Sequence, residues 1–175
     1  MLSLTLLRHA KSSWDDPDLD DHERQLTKRG TKAATRIGRY IAEAGAGLAP
    51  DLILCSDAIR ARATLALVLA ELNAPAPPTV ISPELYLATP DTILDVITSN
   101  AGDACSILVV GHNPGLHALA LSLPANGERD WIANIAIKFP TAALAHIIFD
   151  AESWADVGPA TGRLERFVTP SSLAA

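Results

Sequence analysis

The sequence predicts an α/β three-layer sandwich, a mostly parallel central sheet with helices on both faces. Two observations predict it. Over the first 125 residues, short strand-forming apolar runs alternate with longer stretches whose apolar side chains recur at helical spacing. That alternation marks β-α-β units winding a parallel sheet. The chain is also long enough, at 175 residues with 49% hydrophobic residues, to bury a substantial core within one domain.

The elements follow in order. Residues 2–7 form a buried strand. Thr27 caps a helix running to about Ala44, with Ala33, Ile37, Ile41 and Ala44 on one face. Gly45, Gly47 and Pro50 stop it. Residues 51–55 make a second strand, after which Ser56 or Asp57 caps a helix carrying Ala61, Leu65, Val68, Leu69 and Leu72. The proline-rich stretch 74–78 is a turn or extended connector. Residues 79–82 form a third strand, and Pro90 opens a helix to about Ser99. Residues 106–110 make the clearest strand, running into Gly111-His112-Asn113-Pro114-Gly115 and a helix to about Leu123. Residues 131–137 fit helix or strand, while 143–149 and 164–168 read as strands. With no internal repeat or low-complexity tract, residues 1–175 read as a single domain.

A net charge of −6 argues against non-specific nucleic-acid binding and against a polybasic membrane patch. No run approaches the length of a membrane span, and residues 2–7 are too short for a signal-peptide core. Cys55 and Cys105 stand in no metal-ligand spacing and read as buried thiols of a reducing compartment. The expectation is a soluble cytoplasmic protein with neither nucleic-acid nor membrane partners, of open oligomeric state.

Three strand-to-helix turns carry unusual chemistry. The first strand ends on Arg8-His9, the second leads through Cys55-Ser56-Asp57-Ala58-Ile59 to Arg60, and the fourth leads into Gly111-His112-Asn113. In a parallel sheet these turns open on one edge, where ligands bind, and helix N-termini there favour an anion. Arg8 and Arg60 offer planar forks for phosphate oxygens, and His9 offers a nitrogen nucleophile at neutral pH. Taken singly, Arg8, Arg60, Arg62 and His112 are ordinary surface charges or caps. Three strand ends gathering the same chemistry by accident is the weaker account, and His22, His117 and His146 remain structural or surface residues.

Those residues resemble a family. Leu7-Arg8-His9-Ala10 looks like the Arg-His-Gly signature of the histidine phosphatase superfamily, the phosphoglycerate mutase-like proteins. Arg60 within Ser56-Asp57-Ala58-Ile59-Arg60-Ala61 matches the family's second phosphate-binding arginine, and Gly111-His112-Asn113 its second catalytic histidine. Leu26-Thr27 with Gly30, and Pro83-Glu84-Leu85, point to the short phosphohistidine phosphatase branch of the SixA type. The resemblance spans nearly the whole chain and implies a phosphoglycerate mutase-like fold.

Two departures stand out. Ala10 replaces the usual glycine. The general acid that mutases and many phosphomonoesterases of the superfamily carry, two residues after a leucine, falls here on Leu87; Glu84 is near but out of register. An alkoxide leaving group needs a proton, and a positioned acid supplies ~10²–10⁴-fold. The imidazole of a phosphohistidine is a far weaker base and needs that acid least. The missing carboxyl therefore tilts the reading toward N–P bond hydrolysis.

Other signals fail. The acidic stretch 15–23 lacks the glycine and glutamate of a calcium loop and reads as a solvated loop that screens incoming substrates. Cys55 and Arg60 are separated by four residues, where cysteine phosphatases need five. There is no zinc pattern, Walker-type loop or dinucleotide fingerprint. The expectation is a phosphatase without metal or other cofactor. His9 attacks phosphorus, Arg8, Arg60 and His112 hold the non-bridging oxygens, Ser12 adds a hydroxyl, and Glu84 is an inferior acid candidate. Its partner is a phosphorylated protein or a small phosphorylated molecule. The alternatives are a phosphomonoesterase on a small metabolite and a catalytically silent phosphate- or phosphohistidine-binding module.

Overall fold

The first strand, β1 (Leu2–Arg8), turns Leu2, Leu4 and Leu6 to one side and Leu7 to the other, all buried. Such a strand belongs inside a sheet covered on both faces. In the computed structural model, which describes residues 1–174, it is the central strand of seven. The others are β2 (Leu52–Ser56), β3 (Thr79–Ser82), β4 (Ser106–Gly111), β5 (Pro124–Gly127), β6 (Leu144–Phe149) and β7 (Gly162–Val168). Their order is β3-β2-β4-β1-β6-β7-β5, and β6 alone runs against the rest.

Helices α1 (Lys28–Ala44) and α2 (Ile59–Glu71) cover one face, packing Ile37, Ile41, Leu65 and Val68 against Leu7, Ile53 and Val110. Helices α3 (Pro90–Asn100), α4 (Gly115–Ser122) and α5 (Arg129–Ile137) cover the other, packing Ile93, Val96, Leu116 and Ile135 around Leu4, Leu6 and Val109. The mostly parallel three-layer sandwich is thus present. Residues 131–137, open between helix and strand in the sequence, lie in α5.

Three details differ from the sequence reading. Helix α2 is capped by the backbone of Ala58, not by Ser56 or Asp57. Ser56 Oγ instead accepts the Ala58 N–H at 3.2 Å and meets His112, while Asp57 pairs with His22 at 2.8 Å. Cys105 is exposed because it lies in the turn before β4, whereas Cys55 is buried within β2. Strand β5 has no apolar run and escapes periodicity; it is paired through its backbone to the edge of β7.

Two glycines fix the loops around the sheet's C-terminal edge. A side chain at Gly30 would start 2.1 Å from the Lys11 carbonyl oxygen, so α1 can lie against the turn after β1 only with glycine there. Thr27 locks the same approach: its N–H donates to Lys11 O at 2.9 Å and its Oγ1 accepts from Gly30 N at 2.9 Å. At Gly115 an added Cβ would lie 1.9 Å from the Ala88 carbonyl oxygen. Neither obstacle is a flexible side-chain end, so the backbone must shift. Gly115→Ala is therefore expected to lower the melting temperature by several degrees, at about 2–4 °C per kcal/mol for a chain of this length. A thermal melt checks this, and a wild-type midpoint would show that the Ala88 segment yields freely.

Candidate active site

Strands β2, β4 and β1 are neighbours, so the turns that leave them sit side by side. Arg8 pairs with Gly111 in register, and His9 N–H donates to Gly111 O at 3.0 Å. His9 is therefore planted beside the His112 turn. The Ala10 N–H donates to Thr64 Oγ1 of α2 at 2.9 Å, which ties the same loop to the Arg60 helix.

The His9 ring is buried, and its Nδ1 lies 2.8 Å from the Ala10 carbonyl oxygen. A carbonyl only accepts, so Nδ1 carries the hydrogen and Nε2 keeps its lone pair. That lone pair faces Arg60 Nε at 3.3 Å. Burial is the main force lowering the His9 pKa from 6.5 to about 4; the Arg60, Arg8 and Arg24 charges add to it, against the opposing Ala10 bond. His112, whose ring centre lies 5.1 Å from that of His9, is pushed down to about 3 by burial, then by His9 and Arg60. Both rings are uncharged at neutral pH. An NMR titration of the imidazole nitrogens should show them neutral from pH 7 down to about pH 4 and about 3 respectively. Protonation of either near pH 6.5 would contradict the buried geometry.

The sign for stability follows. Because both folded values lie below 6.5, the unfolded chain takes up protons first as pH falls. The stability these neutral rings contribute is fully present above pH 6.5 and is lost as pH drops through the folded values.

Arg60, 2% exposed, enters from the first turn of α2 and touches both histidines, reaching His112 Nδ1 from Nη2 at 3.4 Å. His112 Nε2 lies 2.7 Å from Ser56 Oγ, so the end of β2 orients the ring. Arg8 donates from Nη1 to the Phe139 carbonyl at 3.0 Å, and Asn113 Nδ2 donates to the same oxygen at 2.9 Å. Arg8 Nε is buried with no partner. A buried charged donor left unpaired is costly, and an anion in the pocket would satisfy it. The four residues the sequence singled out, Arg8, His9, Arg60 and His112, all line one cavity of about 290 Å³. A larger groove of about 500 Å³, between α5 and the end of β7, holds none of them.

The profile of the histidine phosphatase superfamily (branch 1) matches residues 4–86. A candidate phosphohistidine phosphatase SixA from Agrobacterium tumefaciens is 30% identical, covers 97% of this chain and 99% of its own, and superposes with a TM-score of 0.78. The chain belongs to the histidine phosphatase superfamily. An uncharacterized protein of Mycobacterium tuberculosis, Rv1276c, is 38% identical over 94% of this chain and 99% of its own length. The protein histidine phosphatase SixA solved with tungstate, at 20% identity and a TM-score of 0.74 over 98% of this chain and 99% of its own, shares the fold.

This histidine phosphatase also holds residues that sequence reasoning passed over. Asp21 lies in the acidic stretch read as solvated, yet it lines the cavity: its Oδ2 accepts from Arg60 Nη2 at 2.9 Å and from the Tyr86 hydroxyl. Hydrogen bonds from Tyr86, Arg60 and Arg24, with the charge of Arg60, outweigh its desolvation and hold its pKa down to about 2. Arg24, buried, donates from Nε to Asp21 Oδ1 at 3.0 Å and from Nη1 to Ser12 Oγ, and its guanidinium covers one face of Trp14 at 3.6 Å. The one available signal was an arginine closing an acidic run at i+3 from an aspartate. Ser12 lines the cavity, and because its oxygen accepts from Arg24, its O–H is directed elsewhere.

Glu84 is corrected. It sits exposed in a single 3-10 turn, Pro83–Leu85, and takes no part in the cavity wall, because that turn buries Leu85 and directs its neighbour outward. Leu87, the position where the superfamily's acid falls, does line the cavity. It stands at φ 49° with 51% of its surface exposed. Cys55 is a spectator, its thiol pushed up to about 12 by burial. His146 is buried against Thr5 Oγ1 at 2.9 Å and His117 meets the Ile135 carbonyl at 2.6 Å, both away from the cavity. No helix among the described residues is long and apolar enough to cross a membrane.

Proposed function

We propose that the protein is a phosphohistidine phosphatase working without a metal through a phosphohistidine intermediate on His9. One observation carries the reading: a neutral, buried imidazole holds its Nε2 lone pair at the edge of a guanidinium, in a cavity with an unpartnered arginine donor. In the first step a bond forms from His9 Nε2 to phosphorus as the substrate's N–P bond breaks. The leaving imidazole, protonated on its ring by solvent, keeps that bond's electron pair and departs neutral. Arg8, Arg60 and the Ser12 hydroxyl stabilise the three equatorial oxygens, with the neutral His112 ring held beside them by Ser56 and Arg60. Water then attacks phosphorus, its proton passes to solvent, and the electron pair returns to Nε2 as orthophosphate leaves.

The character of the rim supports a phosphorylated protein side chain as the substrate. The cavity, at about 290 Å³, is sized for a phosphoryl group and little more than its immediate attachment. Its rim carries Trp14, 70% exposed, and Leu87, both apolar and open to a macromolecular surface. The deciding assay compares orthophosphate release from a histidine-phosphorylated protein and from a sugar phosphate. Preference for the phosphoprotein supports the reading, preference for the sugar phosphate replaces it by the metabolite phosphatase, and binding without turnover leaves only a binding module.

The arginine clamp has its own test. Arg8→Lys and Arg60→Lys keep the charge but lose the two-point fork. Each is expected to reduce kcat/KM by about tenfold to a hundredfold, the worth of one charge-assisted hydrogen bond. Steady-state kinetics equal to wild type in both would reduce the arginines to bystanders.

A further inference from the structure

Arg60 has two edges, and they do different work. Its Nη1/Nη2 end is held by Asp21, with the Asp21 main-chain carbonyl accepting from Nη1 at 2.6 Å and its carboxylate from Nη2 at 2.9 Å. Its Nε/Nη2 side faces His9 Nε2 at 3.3 Å and His112 Nδ1 at 3.4 Å. We infer that Asp21 is a positioning residue, which grips the outer end of Arg60 so that its inner edge is presented to the phosphoryl group. This inference rests on the reading of the cavity as a phosphoryl site.

Asp21 is itself braced. Tyr86 donates to the oxygen that holds Arg60, and Arg24 donates to the other oxygen from Nε and Nη2, each at 3.0 Å. The Tyr86 hydroxyl keeps its proton, since burial and the bond to Asp21 raise its pKa. The carboxylate therefore stays ionised at any physiological pH. Among the described residues no other acid pairs with Arg60, whose guanidinium is almost fully buried. Without Asp21 the charge would be uncompensated and free to turn toward solvent or another acceptor. Asp21 also shares the single 3-10 turn Asp21–Glu23 with His22, which is pinned to Asp57 just ahead of α2. The loop that carries the brace and the helix that carries Arg60 are thus fastened together.

A rival account makes the carboxylate a competitor that occupies the anion site until substrate displaces it. The two accounts predict opposite signs. If Asp21 positions Arg60, its removal weakens oxyanion binding; if it competes, removal tightens binding. The experiment measures orthophosphate binding by calorimetry, and kcat and KM on an aryl phosphate, for wild type, Asp21→Ala, Arg60→Lys and the double variant. Asp21→Ala is expected to weaken orthophosphate binding and raise KM by about tenfold to a hundredfold, the value of a charge-assisted bond. A purely structural loss would lower the active fraction and hence apparent kcat, leaving KM unchanged. The double variant should be no worse than Arg60→Lys alone, because Asp21 acts through that guanidinium. Should Asp21→Ala fail to give a folded circular-dichroism spectrum, Asp21→Asn takes its place and must also weaken orthophosphate binding. Unchanged or tighter binding, or fully additive losses in the double variant, would overturn the inference. A wild-type protein that binds no orthophosphate would overturn the phosphoryl-site reading itself, a distinct result.

Discussion

Replacing His9 by alanine is expected to abolish turnover, by at least the four orders of magnitude that separate covalent catalysis from residual binding effects, on the order of 10⁴ or more. The expectation comes from geometry. His9 Nε2 brings a lone pair to the pocket on a ring held by its other nitrogen, and that lone pair meets only Arg60 Nε, at 3.3 Å. The other ring, His112, already engages Ser56 through Nε2 and Arg60 through Nδ1. The fold should survive, because the variant removes a neutral ring with two side-chain bonds, a short one to the adjacent carbonyl and a longer one from Arg60 Nε. His9 is buried, so a cost of roughly 1–2 kcal/mol is expected, below what would unfold a domain. Rapid acid-free quench of the wild type with labelled substrate should trap phosphate on His9, labile to acid and stable to base. Wild-type-like turnover in His9→Ala would end the covalent mechanism, whatever the substrate.

That His9 was legible at all has a local cause. The chemistry of a doubly wound sheet lies at strand ends, and a strand end can be read from a few adjacent residues: Leu6-Leu7 followed by Arg8-His9, Val109-Val110 followed by Gly111-His112. The parallel alternation then places those ends on one edge without further information. The layers were legible for a similar reason, since Leu2, Leu4 and Leu6 and then Ile37 and Ile41 announce which faces are covered. What escaped was contact between distant segments. Asp21 meets Arg60 across 39 positions and Tyr86 across 65, and no periodicity couples them. In an acidic run every carboxylate looks equally solvated until one meets a buried guanidinium. Strand β5 escaped because backbone pairing to β7, rather than an apolar face, makes it a strand. The cap of α2 escapes for the same reason: Ser56 has a cap's chemistry but also meets His112 from the end of the neighbouring strand.

The steepest chemical consequence concerns the leaving group. At the place where the superfamily's acid falls, the cavity wall is Leu87, and Glu84 points away from it. The one acid among the described wall residues, Asp21, has a pKa near 2 and is committed to two arginines and a tyrosine, so it cannot hold a proton for a departing alkoxide at neutral pH. Rates should therefore depend strongly on leaving-group basicity. Phosphohistidine and aryl phosphates of acidic phenols should turn over, while alkyl phosphates should be slower by about the 10²–10⁴ that a general acid supplies. Glu84→Gln should change nothing measurable. Leu87→Glu places a carboxyl at the rim of the cavity, at the position where the superfamily's acid falls. It should recover part of that factor on alkyl phosphates while leaving aryl phosphates, which need no proton, little changed or slower through repulsion of the dianion. A series of phosphate esters of graded alcohol pKa, run on wild type and both variants, reads the slope directly. A shallow slope in wild type that steepens in Glu84→Gln would show that Glu84 reaches the site as the acid after all. The substrate assignment would then fall, while the superfamily and the fold would stand.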